Sequence, residues 1–487
     1  MLLLRDKAAR TDNARLLERH LAVIRGVHAG TCDLPALYAA KLIDTLAVAA
    51  RSRLYADSLR EWRDADLVAR TRGLSPAAVL DRIFAGLPLL GRGELRRQSR
   101  DAFTRNTGEF LHYYESSGTT GDPVAAPKAV DDLVVNTVNI GEMWGRVIGV
   151  RDRALNLING PFAPAGYQFE KVLEYLGVMS LRLWVDNVTG DYTRVLRLIR
   201  ELSVNTYVGS PSRLLEMIHF ALRNAEPLPP FDHLLLMAEQ SGPGLVRHLE
   251  RLTGATAYVG CYGASETGTI AVTCEYGRMH LQTQSYLLEL RDEAGIRRVD
   301  GTADRGELVV TTLDLPARPL IRYCTGDLVE VDGGPCGCGL APPVLRTLGR
   351  QQDVLAMADG GVRQDDFEAA LWGDDSPGPT VLNYMLVLRG ADVVCLVTTD
   401  RAAGPAWAEG TAGRLGALFP GRTFAVRTVD VLPPLASLGS YVGWKLSRVL
   451  DLGDPGMWER LPAPIDQVVR KALADIETTT GLGAATG

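Results

Sequence analysis

Apolar positions recur at helical spacing through the first hundred residues, as in LLERHLAVIRGVHAG (16–30) and LPALYAAKLIDTLAVAARSRLY (34–55). That period predicts amphipathic helices, in a helical segment running to about residue 105. From about 130 to 312 the pattern changes. Short apolar runs read as strands: ALNLIN (154–159), SLRLWV (180–185), TYVGS (206–210), HLLLMAE (233–239) and ATAYVGCYG (255–263). Amphipathic stretches such as YTRVLRLIREL (192–202) lie between them. Strand–helix alternation predicts an α/β domain with mostly parallel sheets, and ligands gather at the carboxyl ends of such strands.

After residue 350 the pattern changes again. YMLVLRGADVVCLVTTD (384–400) reads as a hairpin turning at GAD, AWAEGTAGRLGALF (406–419) as a helix, and TFAVRTVDVL (423–432) as a half-buried strand. These make a small α+β domain. The expected division is a large domain at 1–349, a small one at 350–453 and a tail at 454–487 with one helix at IDQVVRKALADIE (465–477).

A chain of 487 residues exceeds what one core usually supports, which agrees with that division. Apolar residues make up 46% and aromatics 7%, as in a globular protein. A net charge of −6 argues against a general nucleic-acid binder, which carries a basic face. The start, MLLLRDKAARTDNAR, is too short in apolar residues for a secretory signal, and no run has the length of a membrane span. A cytoplasmic protein with no membrane or nucleic-acid partner is expected. Seven cysteines, an odd number in a long chain, do not read as a disulfide framework.

The candidate chemistry begins in YYESSGTTGD (113–122). Ser116, Ser117, Thr119 and Thr120 offer four hydroxyls, and Gly118 and Gly121 let the backbone turn its N–H groups onto an anion. The loop suits a polyphosphate, although no GKS or GKT closes it as in a Walker A loop. In YGASET (262–267), Tyr262 suits stacking on a nucleobase and Glu266 suits a hard cation such as Mg²⁺. IRYCTGDLVEV (321–331) offers Asp327 to a ribose, LGRQQD (348–353) offers Arg350 to phosphate or ribose oxygens, and GWKLSRVLDL (443–452) offers Lys445. Each alone is no more than a turn or a surface charge. Together, in this order, they are hard to obtain by chance and mark a candidate site. Separately, Cys274-x5-His280 and Cys336-x-Cys338 make a Cys₃His set, the donors of a closed structural zinc site.

This constellation resembles the adenylate-forming superfamily, and within it the phenylacetate-CoA ligase and coenzyme F390 synthetase branch. That branch carries an SSGTTG core without the usual Pro-Lys-Gly, as here, where Asp122-Pro123-Val124 follow. Tyr55 and Pro88-Leu89 also look similar to its helical N-terminal segment. The resemblance implies a large domain, a small mobile one, and two reaction steps. A carboxylate attacks the α-phosphorus of ATP, and a thiol then displaces AMP from the acyl-adenylate. Lys445 would neutralise charge at the α-phosphate, near a Mg²⁺ held by Glu266. Thr119, Thr120 and neighbouring amides would hold the β,γ-phosphates, Asp327 and Arg350 the ribose, and Tyr262 the adenine, with Ala238 and Glu239 beside it. Phe162, Tyr167, Gly209 and Ala238 would line the acid pocket, whose small, apolar segments suit a flat ring. The implied cofactors are ATP, Mg²⁺, structural Zn²⁺ and coenzyme A. The acceptor stays open between coenzyme A, a carrier-protein thiol, an amine or another nucleophile, and a homodimer is allowed.

Three departures matter. Asp122 places a negative charge beside the phosphate loop, with Lys128 as the available counter-charge. The hinge reads Arg350-Gln351-Gln352-Asp353 in place of Arg-x-Asp-Asp, and ADGGVRQ (358–364) replaces the loop that faces the thiol. The RRQSR run (96–100) and His28, His112, His219, His233 and His248 read as structural or surface groups.

Overall fold

Two capped helices open the chain where the apolar spacing places them. The Asp6 and Asp33 carboxylates accept from the backbone amides of Ala9 and Ala36, satisfying orphan donors at the starts of α1 (Lys7–His28) and α2 (Leu34–Ala49). The structure, a computed structural model, describes residues 4–60, 71, 73–116, 123–158, 164–183, 185, 191–350, 355–357, 360–373, 378–389, 392–430, 432, 448–451, 470 and 474. β1 (His112–Glu115) and β2 (Ala125–Lys128) then form an antiparallel hairpin, followed at once by α3 (Val130–Trp144).

The alternation predicted next is present: β3 (Arg153–Leu157), α4 (Ala165–Tyr175), β4 (Met179–Arg182), α5 (Thr193–Glu201), β5 (Thr206–Gly209), α6 (Pro211–Arg223), β6 (His233–Leu236), α7 (Pro243–Thr253) and β7 (Thr256–Val259). Beyond it the chain is all strand: β8 (Cys261–Ala264), β9 (Gly268–Thr273), β10 (Met279–Leu281), β11 (Tyr286–Asp292), β12 (Gly295–Arg298), β13 (Asp304–Thr312), β14 (Tyr323–Asp332) and β15 (Val344–Arg350). The apolar run at 255–263 is therefore two strands, not one. It breaks at Gly260, whose carbonyl accepts from Trp144 Nε1 (3.0 Å) and Thr273 N (3.2 Å).

The chain divides into two compact units. The first comprises residues 1–154, 160–180 and 258–351, and the second 155–159, 181–257 and 352–487. In the first, an eight-stranded sheet runs β12–β11–β13–β14–β15–β10–β9–β8, and each pairing along it is antiparallel. Ile270, Leu281, Leu288, Val310, Val329 and Leu345 fill its core. A second core joins Leu42 and Leu46 of α2 to Phe84, Leu95, Leu320 and Tyr323. Tyr55 is buried there, and its hydroxyl accepts from Ile321 N at 3.0 Å.

In the second unit β4–β3–β5–β6–β7 form a five-stranded sheet, with β5 and β6 parallel. The later residues add α8 (Gln364–Trp372), the hairpin β16 (Val381–Arg389) and β17 (Asp392–Thr399), α9 (Pro405–Leu418), β18 (Thr423–Thr428) and β19 (Val449–Asp451). These strands make a sheet ordered β18–β17–β16–β19. One apolar core runs through the unit, from Leu155 and Tyr207 to Phe367, Trp372 and Val426. α7 approaches α8 closely: a Cβ on Gly244 would lie 2.8 Å from Ala369 N. No helix among the described residues is long and apolar enough to cross a membrane. Of the expected tail helix only residues 470 and 474 are described, both helical, and the small-domain residues 433–447 lie outside the described residues.

Candidate nucleotide and metal sites

In the first unit the nucleoside candidates converge. Tyr262 leaves β8 at a bulge, and its hydroxyl donates to Asp327 Oδ2 at 2.8 Å. Asp327 is fixed by the turn before it. Gly326 takes φ +76°, a conformation that suits glycine, and Asp327 N donates to Thr325 Oγ1 at 3.1 Å. Thr325 in turn donates to Leu308 O (2.8 Å). Across the ladder, Asp327 stands opposite Arg350 in register. An aromatic ring, a carboxylate and a guanidinium-bearing position thus share one end of the sheet.

The hairpin that carries the candidate phosphate loop is closed at its base. Ser116 N donates to Val124 O and Val124 N to Ser116 Oγ, each at 2.8 Å. Ser116 therefore fixes where the loop leaves and re-enters the sheet, while Ser117, Gly118, Thr119, Thr120 and Gly121 lie outside the described residues. Glu266 is buried and accepts from Tyr323 Oη at 3.2 Å. Two cations flank its backbone: Arg318 Nη2 donates to Glu266 O (2.7 Å) and Lys128 Nζ to Ser265 O (3.2 Å). Burial pushes Lys128 down to about 8 against the pull of Asp132, and it pushes Asp132 up to about 6. Arg318 Nη1 is buried with no hydrogen-bond partner among the described residues. A carboxylate is a ligand type that a hard cation takes alongside phosphate oxygens and water, and the two neighbouring cations bond backbone carbonyls rather than the carboxylate.

Among the acid-pocket candidates, Tyr167 of α4 packs against His112 of β1, with ring centroids 4.3 Å apart, and carries Lys171 Nζ 5.5 Å over its ring. Phe162 lies outside the described residues.

In the second unit Ala238 follows β6 with φ +71° and is exposed. A left-handed alanine costs about 1–2 kcal/mol, and such strain concentrates where a site needs the backbone turned. Glu239 beside it accepts from Ser212 Oγ at 2.7 Å and Ser212 N at 3.3 Å. Gly209 ends β5 beneath the Tyr207 ring, where an added Cβ would meet the hydroxyl at 2.5 Å. Glycine there accommodates the tyrosine.

The four metal candidates come together. Cys274 follows β9, His280 lies on β10 between β9 and β15, and Cys336 and Cys338 sit in the loop between β14 and β15. Their donor atoms all lie within 4.8 Å of one another. Cys274 Sγ is 3.8 Å from Cys336 Sγ, and Cys338 Sγ is 3.2 Å from His280 Nε2. Two turns hold the thiols: Gly277 N donates to Cys274 O and Gly339 N to Cys336 O, with both glycines at positive φ. Arg146 spans the cluster, pairing with Glu275 and donating to Cys338 O at 2.8 Å. Three sulfurs and one imidazole at this spacing fit tetrahedral zinc.

No protein-family model matches the chain. It is 26% identical over 294 residues to the phenylacetate-coenzyme A ligase of Thermus thermophilus, covering 58% of this chain and 63% of that one. The Pseudomonas putida phenylacetate-coenzyme A ligase is 27% identical over 289 residues, covering 56% and 62%. The match thus spans about three fifths of either relative. A solved structure of 2-hydroxyisobutyryl-CoA ligase, in the postadenylation state with R3-HIB-AMP, superposes with a TM-score of 0.70 over 89% of this chain and 91% of that one, at 19% identity. The same ligase with 2-HIB-AMP and CoA superposes with a TM-score of 0.57 at 20% identity, over 85% and 89%. The chain has the adenylate-forming ligase fold.

On this ligase fold the structure brings together Tyr262, Asp327 and the Arg350 backbone, places Ser116 and Glu266 in the same unit, and gathers the four metal candidates. Ala238, Glu239 and Gly209 lie in the other unit, and Lys445 lies outside the described residues. Sequence reasoning missed Arg318, Tyr323, Ser212 and Arg448. Tyr323 and Arg448 stand within segments it singled out, IRYCTGDLVEV and GWKLSRVLDL, but nothing local marked either one.

Proposed function

We propose that this chain is an AMP-forming acid–thiol ligase that activates a small aromatic carboxylic acid with ATP and passes the acyl group to coenzyme A. The observation that carries the reading is the Tyr262–Asp327 hydrogen bond opposite Arg350, an aromatic face and a ribose-binding carboxylate held at one sheet end. In this reading Tyr262 takes the adenine, Asp327 and Arg350 the ribose, and Ala238 and Glu239 the adenine edge. Ser116, Ser117, Gly118, Thr119, Thr120 and Gly121 take the β,γ-phosphates.

The acid is already ionised near neutral pH, so the first step needs charge neutralised at the α-phosphate more than it needs a general base. Lys445 supplies that charge from the small domain at 350–453, and Glu266 would hold a Mg²⁺ that adds to the charge neutralisation. Attack forms the acyl–oxygen–phosphorus bond and expels pyrophosphate. The thiolate of coenzyme A then adds to the acyl carbon and AMP leaves. Phe162, Tyr167, Gly209 and Ala238 line the acid pocket. Zinc on Cys274, His280, Cys336 and Cys338 is structural, because four protein ligands leave no open position.

The test is pyrophosphate release across a panel of aryl and fatty acids, with and without coenzyme A. An aryl acid that yields AMP and its CoA thioester supports the reading. AMP without a thioester assigns the acyl group to a carrier-protein thiol or an amine instead, and no pyrophosphate with any acid removes the adenylation itself. Lys445→Ala should slow adenylate formation by about two decades, the loss of one well-placed cation at a developing charge.

A further inference from the structure

We propose that Ser212 is a positioning residue that holds the left-handed peptide of Ala238 in place, with Arg448 fixing the Ser212 hydroxyl from behind. The inference deepens the nucleotide reading above and rests on it only for the identity of the ligand.

Ala238 is exposed at φ +71°, and an alanine stays there only where its neighbours leave it no alternative. On one side Met237 N donates to Gly209 O at 3.0 Å, extending the β5–β6 pairing. On the other side the Glu239 carboxylate is drawn onto the start of α6. Ser210 caps that helix, its hydroxyl accepting from Arg213 N, and Pro211 has no N–H to offer. Ser212 N is thus the first amide of the helix, and it donates to Glu239 Oε2 at 3.3 Å. The positive end of the helix favours a carboxylate there. Ser212 Oγ donates its single proton to the same oxygen at 2.7 Å.

A serine hydroxyl that gives its proton to Glu239 turns its lone pairs elsewhere. Arg448 Nη2 stands 3.4 Å from that oxygen as a donor. The guanidinium cannot swing freely. Nη1 donates to Asn383 Oδ1 at 2.5 Å, Nε lies 3.6 Å from Glu368 Oε1, and the group sits 4.7 Å over the Tyr384 ring. Arg448 is 5% exposed and Glu368 is fully buried. The chain of contacts therefore runs from a buried ion pair through one hydroxyl to the carboxylate next to the strained peptide. Its effect is to spend Glu239 on the helix start and leave the Ala238 peptide presented outward.

Three variants test this: Ser212→Ala, Ser212→Thr, and Ser212→Ala combined with Ala238→Gly. Amide hydrogen exchange over 237–240, AMP affinity by calorimetry and the melting temperature are read for each. Ser212→Ala should speed exchange in that segment and weaken AMP binding, each by about tenfold, the scale of one lost hydrogen bond. Ser212→Thr keeps the hydroxyl and should bind AMP as the parent does. Ala238→Gly should recover most of the lost affinity, because glycine adopts this φ without a Cβ penalty; a general folding defect would not respond to it. Unchanged exchange at 237–240 in Ser212→Ala overturns the proposal, as does failure of Ala238→Gly to recover AMP binding at an equal melting temperature. Wild-type protein that binds no AMP removes the nucleotide reading, and the exchange measurement still decides the clamp.

Discussion

His280 Nδ1 lies 2.6 Å from the carbonyl oxygen of Pro342. A carbonyl only accepts, so the proton sits on Nδ1 and the Nε2 lone pair faces the three thiols. An imidazole fixed from behind in this way is characteristic of metal ligands. Purified protein should contain about one zinc per chain, and Cys338→Ser should lose it and lower the melting temperature. The ligands must be deprotonated to bind, so zinc affinity should weaken as pH falls. Metal analysis finding no stoichiometric zinc in protein prepared without chelator would rule the site out.

The Tyr262–Asp327 pair makes a graded prediction. Asp327→Asn removes the charge that two ribose hydroxyls would meet, and charge-assisted hydrogen bonds contribute about 1.5–3 kcal/mol. The KM for ATP should rise about ten- to a hundredfold, with kcat less affected. Tyr262→Phe keeps the ring face and loses only the hydroxyl, so it should change KM by about threefold or less. Equal losses in the two variants would separate Asp327 from ribose binding.

Much of this arrangement was legible in the chain because it is local. YGASET, YCTGD and the cysteine spacings each place their candidate side chains within a few residues of one another, and helical periodicity marked α1, α2, α5 and α9, whereas all of the SSGTTG run but Ser116 lies outside the described residues. What stayed hidden depends on distant partners. The strand break at Gly260 comes from Trp144, which lies 116 positions away. The eight-stranded antiparallel sheet was not visible because its central strands are buried along much of their length and show no clean alternation, as in YLLELRD at β11. Arg448 meets Ser212 across 236 residues, and Arg318 reaches Glu266 across 52. No window of sequence contains both ends of such a contact.

Gly209 separates packing from substrate contact. A Cβ there would lie 2.5 Å from the Tyr207 hydroxyl and 2.7 Å from its Cζ, and Tyr207 is itself buried, donating to Ser210 O at 2.8 Å. Gly209→Ala should therefore destabilise the protein by about 1–3 kcal/mol through overpacking, read by urea unfolding. A variant as stable as the parent but altered in acid preference would show that the space above Gly209 belongs to the substrate after all.

His248 sets a pH dependence with a definite sign. Its ring stacks on Trp372, with centroids 4.4 Å apart, and Nε2 meets Leu382 O at 3.1 Å. Burial pulls its pKa down to about 4 from 6.5, the Leu382 carbonyl opposing this and the nearby Arg251 and Arg448 adding to it. Between those values the unfolded chain binds the proton and the folded one resists it. The neutral ring's contribution is therefore intact above about pH 6.5 and is lost as pH falls toward 4. Between pH 7 and pH 5 the loss amounts to about 2 kcal/mol. Asp132 and Glu368 push the other way, since burial raises them to about 6 and about 7 and folding then favours their protonated forms. The measurement must therefore be the difference between wild type and His248→Phe, which keeps the stack on Trp372 and removes the titration. That difference should shrink by about 2 kcal/mol from pH 7 to pH 5. A gap that stays constant across that range would mean the imidazole carries its proton in the folded protein as readily as in the unfolded chain.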